Sequence, residues 1–122
     1  MAGGLGLRLR PLTSIIPKPL LPLGDRSVVE VGLMNLAKAG VTEVIMCINY
    51  MSEYFESHFK ERPPDNLKIS FSKESNQLGT AGPLALIKEQ LTEPFIVVNG
   101  DILTNLNFSK FYKTFLDRKF DM

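Results

Sequence analysis

Two short runs constrain the fold more than any other feature of this chain: Val44-Ile45-Met46-Cys47-Ile48 and Phe95-Ile96-Val97-Val98. Each is apolar at every position and rich in β-branched side chains, the pattern of a strand covered on both faces. Such strands need helices above and below them, and the intervening sequence offers them. The spacing predicts a helix over 28–39, with Ser27 as its N-cap and Gly40 as its stop. The first run predicts a strand over 43–49, and a short helix is expected over 51–60, ending before Pro63-Pro64. Leu67, Ile69 and Phe71 alternate with Lys68, Ser70 and Ser72, which predicts a half-buried strand over 67–72. A helix over 81–91 tolerates Pro83 in its first turn. The second apolar run then predicts a buried strand over 94–99. Asn107 caps a last helix over 108–119, where Phe108, Phe111, Tyr112, Phe115 and Leu116 make a core-facing stripe. Helices alternating with short buried strands mean an α/β sandwich built on a mainly parallel sheet.

With 122 residues, the chain is one domain at most, with a modest core. Its 14 basic and 13 acidic residues nearly cancel, which argues against a nucleic-acid binder. No apolar stretch approaches the ~18 residues needed to span a bilayer, and no signal peptide is recognisable at the start. The only cysteine, Cys47, lies inside an apolar run, as expected of a buried free thiol in a reducing compartment. A cytoplasmic location follows as the expectation, with neither nucleic acid nor membrane as partner. Residues 2–27, rich in Gly and Pro, are expected to carry little regular structure.

That opening holds the most informative chemistry. In Ala2-Gly3-Gly4-Leu5-Gly6-Leu7-Arg8, three glycines in four positions let the backbone turn several N–H groups toward one point. A nest of this kind binds anions, phosphate above all, and Arg8 can add paired contacts to phosphate oxygens. An ordinary N-terminal turn is the competing reading. The glycine spacing does not fit a dinucleotide-binding fingerprint, and the Gly-Lys-Ser/Thr ending of a P-loop is missing. Downstream, Pro17 and Pro19 flank Lys18 and stiffen the backbone that presents its ammonium. Asp101 follows the second apolar run, at the C-terminal edge where open α/β sheets bind ligands; a structural Asx turn is the alternative. His58 has acidic and aromatic neighbours but no second ligand at metal spacing, and reads as a surface or packing residue.

Taken together, Gly-Gly-x-Gly-x-Arg-Leu-x-Pro-Leu-Thr at residues 3–13, Pro-Lys-Pro-Leu-Leu-Pro at 17–22, Leu-Gly-Thr-Ala-Gly-Pro-Leu at 78–84 and Val-Asn-Gly-Asp-Ile-Leu at 98–103 resemble the ordered motifs of sugar-1-phosphate nucleotidylyltransferases. The third motif looks nearest to the guanylyl-transferring members. The resemblance implies a three-layer, Rossmann-like fold, of which 1–122 would be the nucleotide-binding half, truncated at both ends. The strand before the glycine loop and the half carrying most sugar-binding residues would lie outside it, so this segment alone is expected to be inactive. Ala2, Gly3, Gly4 and Gly6 would hold the nucleotide and its phosphates. Arg8 and Lys18 would offset charge at the reacting phosphates, and Gly79 would approach the base or ribose. Asp101 would bind Mg²⁺. A nucleoside triphosphate and a sugar 1-phosphate would be the substrates, and assembly into a homo-oligomer is compatible with this reading.

Glu74 lies five residues before Gly79, where thymidylyl-transferring relatives carry a glutamine that reads the base. An ionised carboxylate accepts two hydrogen bonds side by side, matching the N1–H and amino group of guanine. GTP is therefore the expected triphosphate, although Gln77 is a competing base reader. Leu7 stands where the family has Thr or Ser, so one hydroxyl contact to phosphate is absent. A non-catalytic regulatory relative, binding nucleotide or a partner subunit, is the rival; it would be expected to lose Arg8, Lys18 or Asp101, and this chain keeps all three.

Overall fold

The structure, a computed structural model, describes residues 15–49, 51–75 and 78–118. Residues 15–27 are more ordered than their composition suggests. A 3₁₀ turn covers Lys18–Leu20, followed by a two-residue hairpin of β1 (Pro22–Leu23) and β2 (Arg26–Ser27). Gly24 makes the hairpin turn at φ +70°.

Helix α1 (Val28–Lys38) starts where Ser27 was expected to cap it, and Glu30 completes the cap. The Ser27 hydroxyl accepts from the Glu30 N–H at 3.4 Å. The Glu30 carboxylate accepts from the Ser27 N–H at 2.5 Å and from its hydroxyl at 2.8 Å. Burial alone would raise the Glu30 pKa, but the Ser27 hydrogen bonds, helped by the charges of His58 and Arg62, hold it below the usual carboxylate range. A depressed folded pKa stabilises above the unfolded value, about 4.3, and that contribution disappears as pH falls through the folded value. Glu30→Gln is therefore expected to cost roughly 1 kcal/mol at neutral pH, the scale of a lost cap. Its urea midpoint should converge with that of the wild type once pH falls below the folded Glu30 value, where both side chains are neutral.

Strand β3 (Glu43–Ile48) pairs in parallel with β4 (Lys68–Lys73), in register from Glu43 opposite Lys68 to Ile48 opposite Lys73. Helix α2 (Ser52–Glu61) makes the crossover. Val29 and Leu33 of α1, Met46 and Ile48 of β3, Phe55 and Phe59 of α2, and Leu67 form the core. His58 packs edge-on to Phe59, with ring centres 5.0 Å apart and Nε2 3.4 Å from Glu30, in keeping with a packing role. Cys47 is a buried free thiol, and burial together with the nearby Glu74 charge pushes its pKa up. No helix among the described residues is long and apolar enough to cross a membrane.

Three expectations are corrected. The helix over 81–91 breaks into α3 (Gly82–Leu86) and a 3₁₀ turn at Lys88–Gln90. Ile87 leaves helical geometry at φ −116°, and its side chain is buried, so tertiary packing overrides propensity there. Residues 94–99 form no ladder among the described residues, and Phe95 and Val97 are half exposed. A strand exists only through a partner, and a cleft of about 710 Å³ is lined by residues of both β3 and this segment. Helix α4 (Phe108–Arg118) is capped by Asn107, whose side chain accepts from the Lys110 N–H at 2.9 Å. Phe108 alone on its stripe is buried, whereas Phe111 and Leu116 stand out in solvent.

Candidate functional site

Lys18 owes its position to the residues around it. Pro17, at φ −55° and ψ 136°, leads into the 3₁₀ turn, and Pro19 is buried. The Leu20 N–H donates to the Pro17 carbonyl at 2.8 Å and the Leu21 N–H to that of Lys18 at 3.1 Å. The Val28 N–H then donates to the Leu21 carbonyl, tying the turn to the start of α1. Lys18 is thus presented from a clamped segment, as its two prolines predict.

Asp101 arrives from the other end of the chain. The Tyr112 hydroxyl donates to the Pro94 carbonyl at 2.9 Å, and the Ser109 hydroxyl to that of Ala39 at 3.1 Å, so α4 holds both the 94–101 segment and the end of α1. The Lys18 ammonium meets the Asp101 carboxylate at 2.5 Å, across 83 positions of sequence. About a third of each side chain is exposed (40% for Lys18, 32% for Asp101), which leaves the pair open to a ligand.

Glu74 extends the parallel ladder past β4 through its N–H, which donates to the Ile48 carbonyl at 3.0 Å. Its carboxylate turns back and accepts from the Leu78 N–H at 3.2 Å, closing the loop that ends at Gly79. Gly79 sits at φ +78° in open space, so its own backbone requires glycine there. Steric crowding falls instead on Gly82, where an added Cβ would lie 2.6 Å from that of Leu78. The sequence reading missed Gly82 as a constrained position; nothing but its place in the third motif marks it.

Lys18 and Asp101 are brought together, and Glu74 and Gly79 share one loop. No hydrogen bond or ion pair joins these two pairs among the described residues. Ala2, Gly3, Gly4, Gly6 and Arg8 lie outside the described residues.

The residues present fit Mg²⁺. The Asp101 carboxylate is partly exposed and already holds one cation, the Lys18 ammonium. No cluster of three or more acidic, His or Cys side chains forms a metal cage among the described residues. Mg²⁺ commonly takes one or two carboxylates and completes its shell with water and phosphate oxygens, so a single carboxylate suits it.

The chain matches the nucleotidyl transferase family over residues 1–122 and belongs to it. It is 45% identical over 112 residues to mannose-1-phosphate guanyltransferase beta-B of Xenopus laevis, covering 88% of this chain and 31% of that one. It is 43% identical over 117 residues to the catalytic subunit beta of mannose-1-phosphate guanylyltransferase of Danio rerio, covering 93% and 32%. The crystal structure of HddC from Yersinia pseudotuberculosis complexed with GMP-PN superposes with a TM-score of 0.85 at 32% identity, covering 95% of this chain and 52% of that one. A glucose-1-phosphate thymidylyltransferase-like structure from Bacillus anthracis, at 21% identity and TM-score 0.84, supports the Rossmann-like α/β fold. The chain therefore spans about a third of the length of these curated relatives and half that of the solved structures.

Proposed function

We propose that this chain forms the nucleotide-binding part of an enzyme that transfers a guanylyl group from GTP to mannose 1-phosphate. The juxtaposition of Lys18 with Asp101 carries the reading, because it gathers one cation and one metal-binding carboxylate at a single point. The guanylyl-transferring relatives supply the choice of base and sugar. In the reaction, a phosphate oxygen of the sugar phosphate attacks the α-phosphorus of GTP as the bond to the β-phosphate's bridging oxygen breaks. GDP-sugar forms and pyrophosphate leaves. Positioning and charge neutralisation supply the catalysis, with no covalent intermediate on the protein. Lys18 would hold phosphate oxygens in line, as would Arg8. The glycine loop of Ala2, Gly3, Gly4 and Gly6 would cradle the triphosphate. Asp101 would hold Mg²⁺, which supplies a Lewis acid that offsets charge on the phosphates.

Glu74 is the proposed guanine reader. One carboxylate oxygen keeps the 74–79 loop closed through Leu78, and since each oxygen has two lone pairs, both can still accept from the base. The positive φ of Gly79 sets the course of the loop beside it. The test is pyrophosphate release by a version of the protein extended to the length of its relatives, with mannose 1-phosphate and each of GTP, dTTP, UTP, CTP and ATP. GTP should support the highest rate. Glu74→Gln should weaken GTP use by about 1–3 kcal/mol, the scale of one base-reading contact. Preference for a pyrimidine triphosphate would overturn the guanylyl assignment.

A further inference from the structure

We propose that Lys18 serves as the resident counter-cation of Asp101, so that the site takes up a divalent metal together with a triphosphate and resists the bare ion. This inference rests on the reading of Asp101 as a metal-binding carboxylate. The observation behind it is the 2.5 Å ion pair between side chains whose backbones are separately fixed, Lys18 by its proline-clamped turn and Asp101 by the segment anchored through Tyr112. With the pair formed, the local charge is zero, and a bare dication must displace the ammonium or sit beside it. Either course is unfavourable, since like charges within a few ångströms of one carboxylate repel. Both side chains are partly exposed, so the ammonium has solvent to move into and the exchange is open. A triphosphate changes the balance because its oxygens carry enough negative charge to satisfy both cations. Lys18 then leaves Asp101 for the phosphates, and the carboxylate is freed when a metal is at hand with its nucleotide. The same lysine thus opposes one form of the metal and favours another.

Two opposite signs in one variant separate this role from a structural one. Mn²⁺ can be followed by the loss of its free electron paramagnetic resonance signal, independently of turnover. For the 122-residue chain, Lys18→Gln should bind bare Mn²⁺ about three- to fivefold more tightly than wild type. It should bind the Mn²⁺ complex of a non-hydrolysable GTP analogue about tenfold more weakly. Lys18→Arg keeps the charge and should retain weak binding of bare Mn²⁺; circular dichroism checks that each variant is folded, with Lys18→Met measured as an alternative neutral side chain. Adding Asp101→Asn to Lys18→Gln should remove the gain. An unchanged or lower affinity of the folded neutral variants for bare Mn²⁺ would overturn the inference, as would a gain that survives Asp101→Asn. If the transferase reading fails instead, the wild type will not bind the nucleotide complex, while the bare-ion comparison will still show the gain.

Discussion

Asp101→Asn, in a protein extended to the length of its relatives, is expected to lower kcat by about 10²–10³-fold, the scale of removing one preorganised electrostatic contact from a transition state. The same change should leave the urea midpoint nearly unmoved. Asp101 makes its ion pair with Lys18 at a partly exposed position, and pairs of that kind contribute about 1 kcal/mol or less. The substitution removes a charge and keeps the shape, so loss of activity without loss of stability isolates the carboxylate's chemistry. Raising Mg²⁺ should restore little, because an amide is a poor ligand for that ion. Near-normal turnover at saturating Mg²⁺ would take Asp101 out of the reaction, and the reading of the Lys18–Asp101 pair with it.

The second large effect concerns stability. Phe55 has no solvent exposure and is among the largest fully enclosed side chains of the chain. It lies on α2 and belongs to the cluster that joins α1, β3 and Leu67. Phe55→Ala removes most of a ring whose neighbours belong to several elements and cannot all close the gap. A loss of about 3–5 kcal/mol is expected, against a total of roughly 5–15 kcal/mol for a domain. Urea unfolding should show a midpoint shifted far toward zero denaturant, with unfolded chain populated even in buffer. Phe55→Leu, which retains more of the volume, should recover a good part of the loss. A variant within about 1 kcal/mol of wild type would mean that the cluster repacks freely, contrary to the density of protein interiors.

Features that depend on neighbours in sequence were legible, and those that depend on distant partners were less so. The Ser27 cap of α1, the Gly40 stop, the alternation along β4 and the Asn107 cap of α4 are local patterns, and the structure has each. The helix over 81–91 was misread because its ending is decided by where the buried Ile87 packs, not by propensity. The apolar run over 94–99 has strand composition, yet composition supplies no ladder partner. Likewise the stripe of α4 has helical spacing, but spacing alone cannot say which of its residues will be covered. At the site, the prolines around Lys18 announce a stiff presentation, whereas the Asp101 partner 83 positions away is a product of the fold. Gly79 was singled out for room beside a ligand, and its need for glycine lies in its own positive φ.

Strand β3 also has a consequence for solvent exchange. The Lys68 N–H donates to Thr42 and the Glu74 N–H to Ile48, so Val44, Met46 and Ile48 turn their peptide groups toward β4. Glu43, Ile45 and Cys47 turn theirs toward the cleft, where no described residue hydrogen-bonds them. Consecutive amides of one strand therefore differ in whether they must break a bond before meeting deuterium. Ile45 and Cys47 should exchange through the open cleft much faster than Val44, Met46 and Ile48, although Cys47 is itself a buried residue. Residue-resolved exchange should thus rise and fall with the parity of the residue number, and an extended peptide laid along that edge would flatten the alternation by giving the odd-numbered amides their missing acceptors.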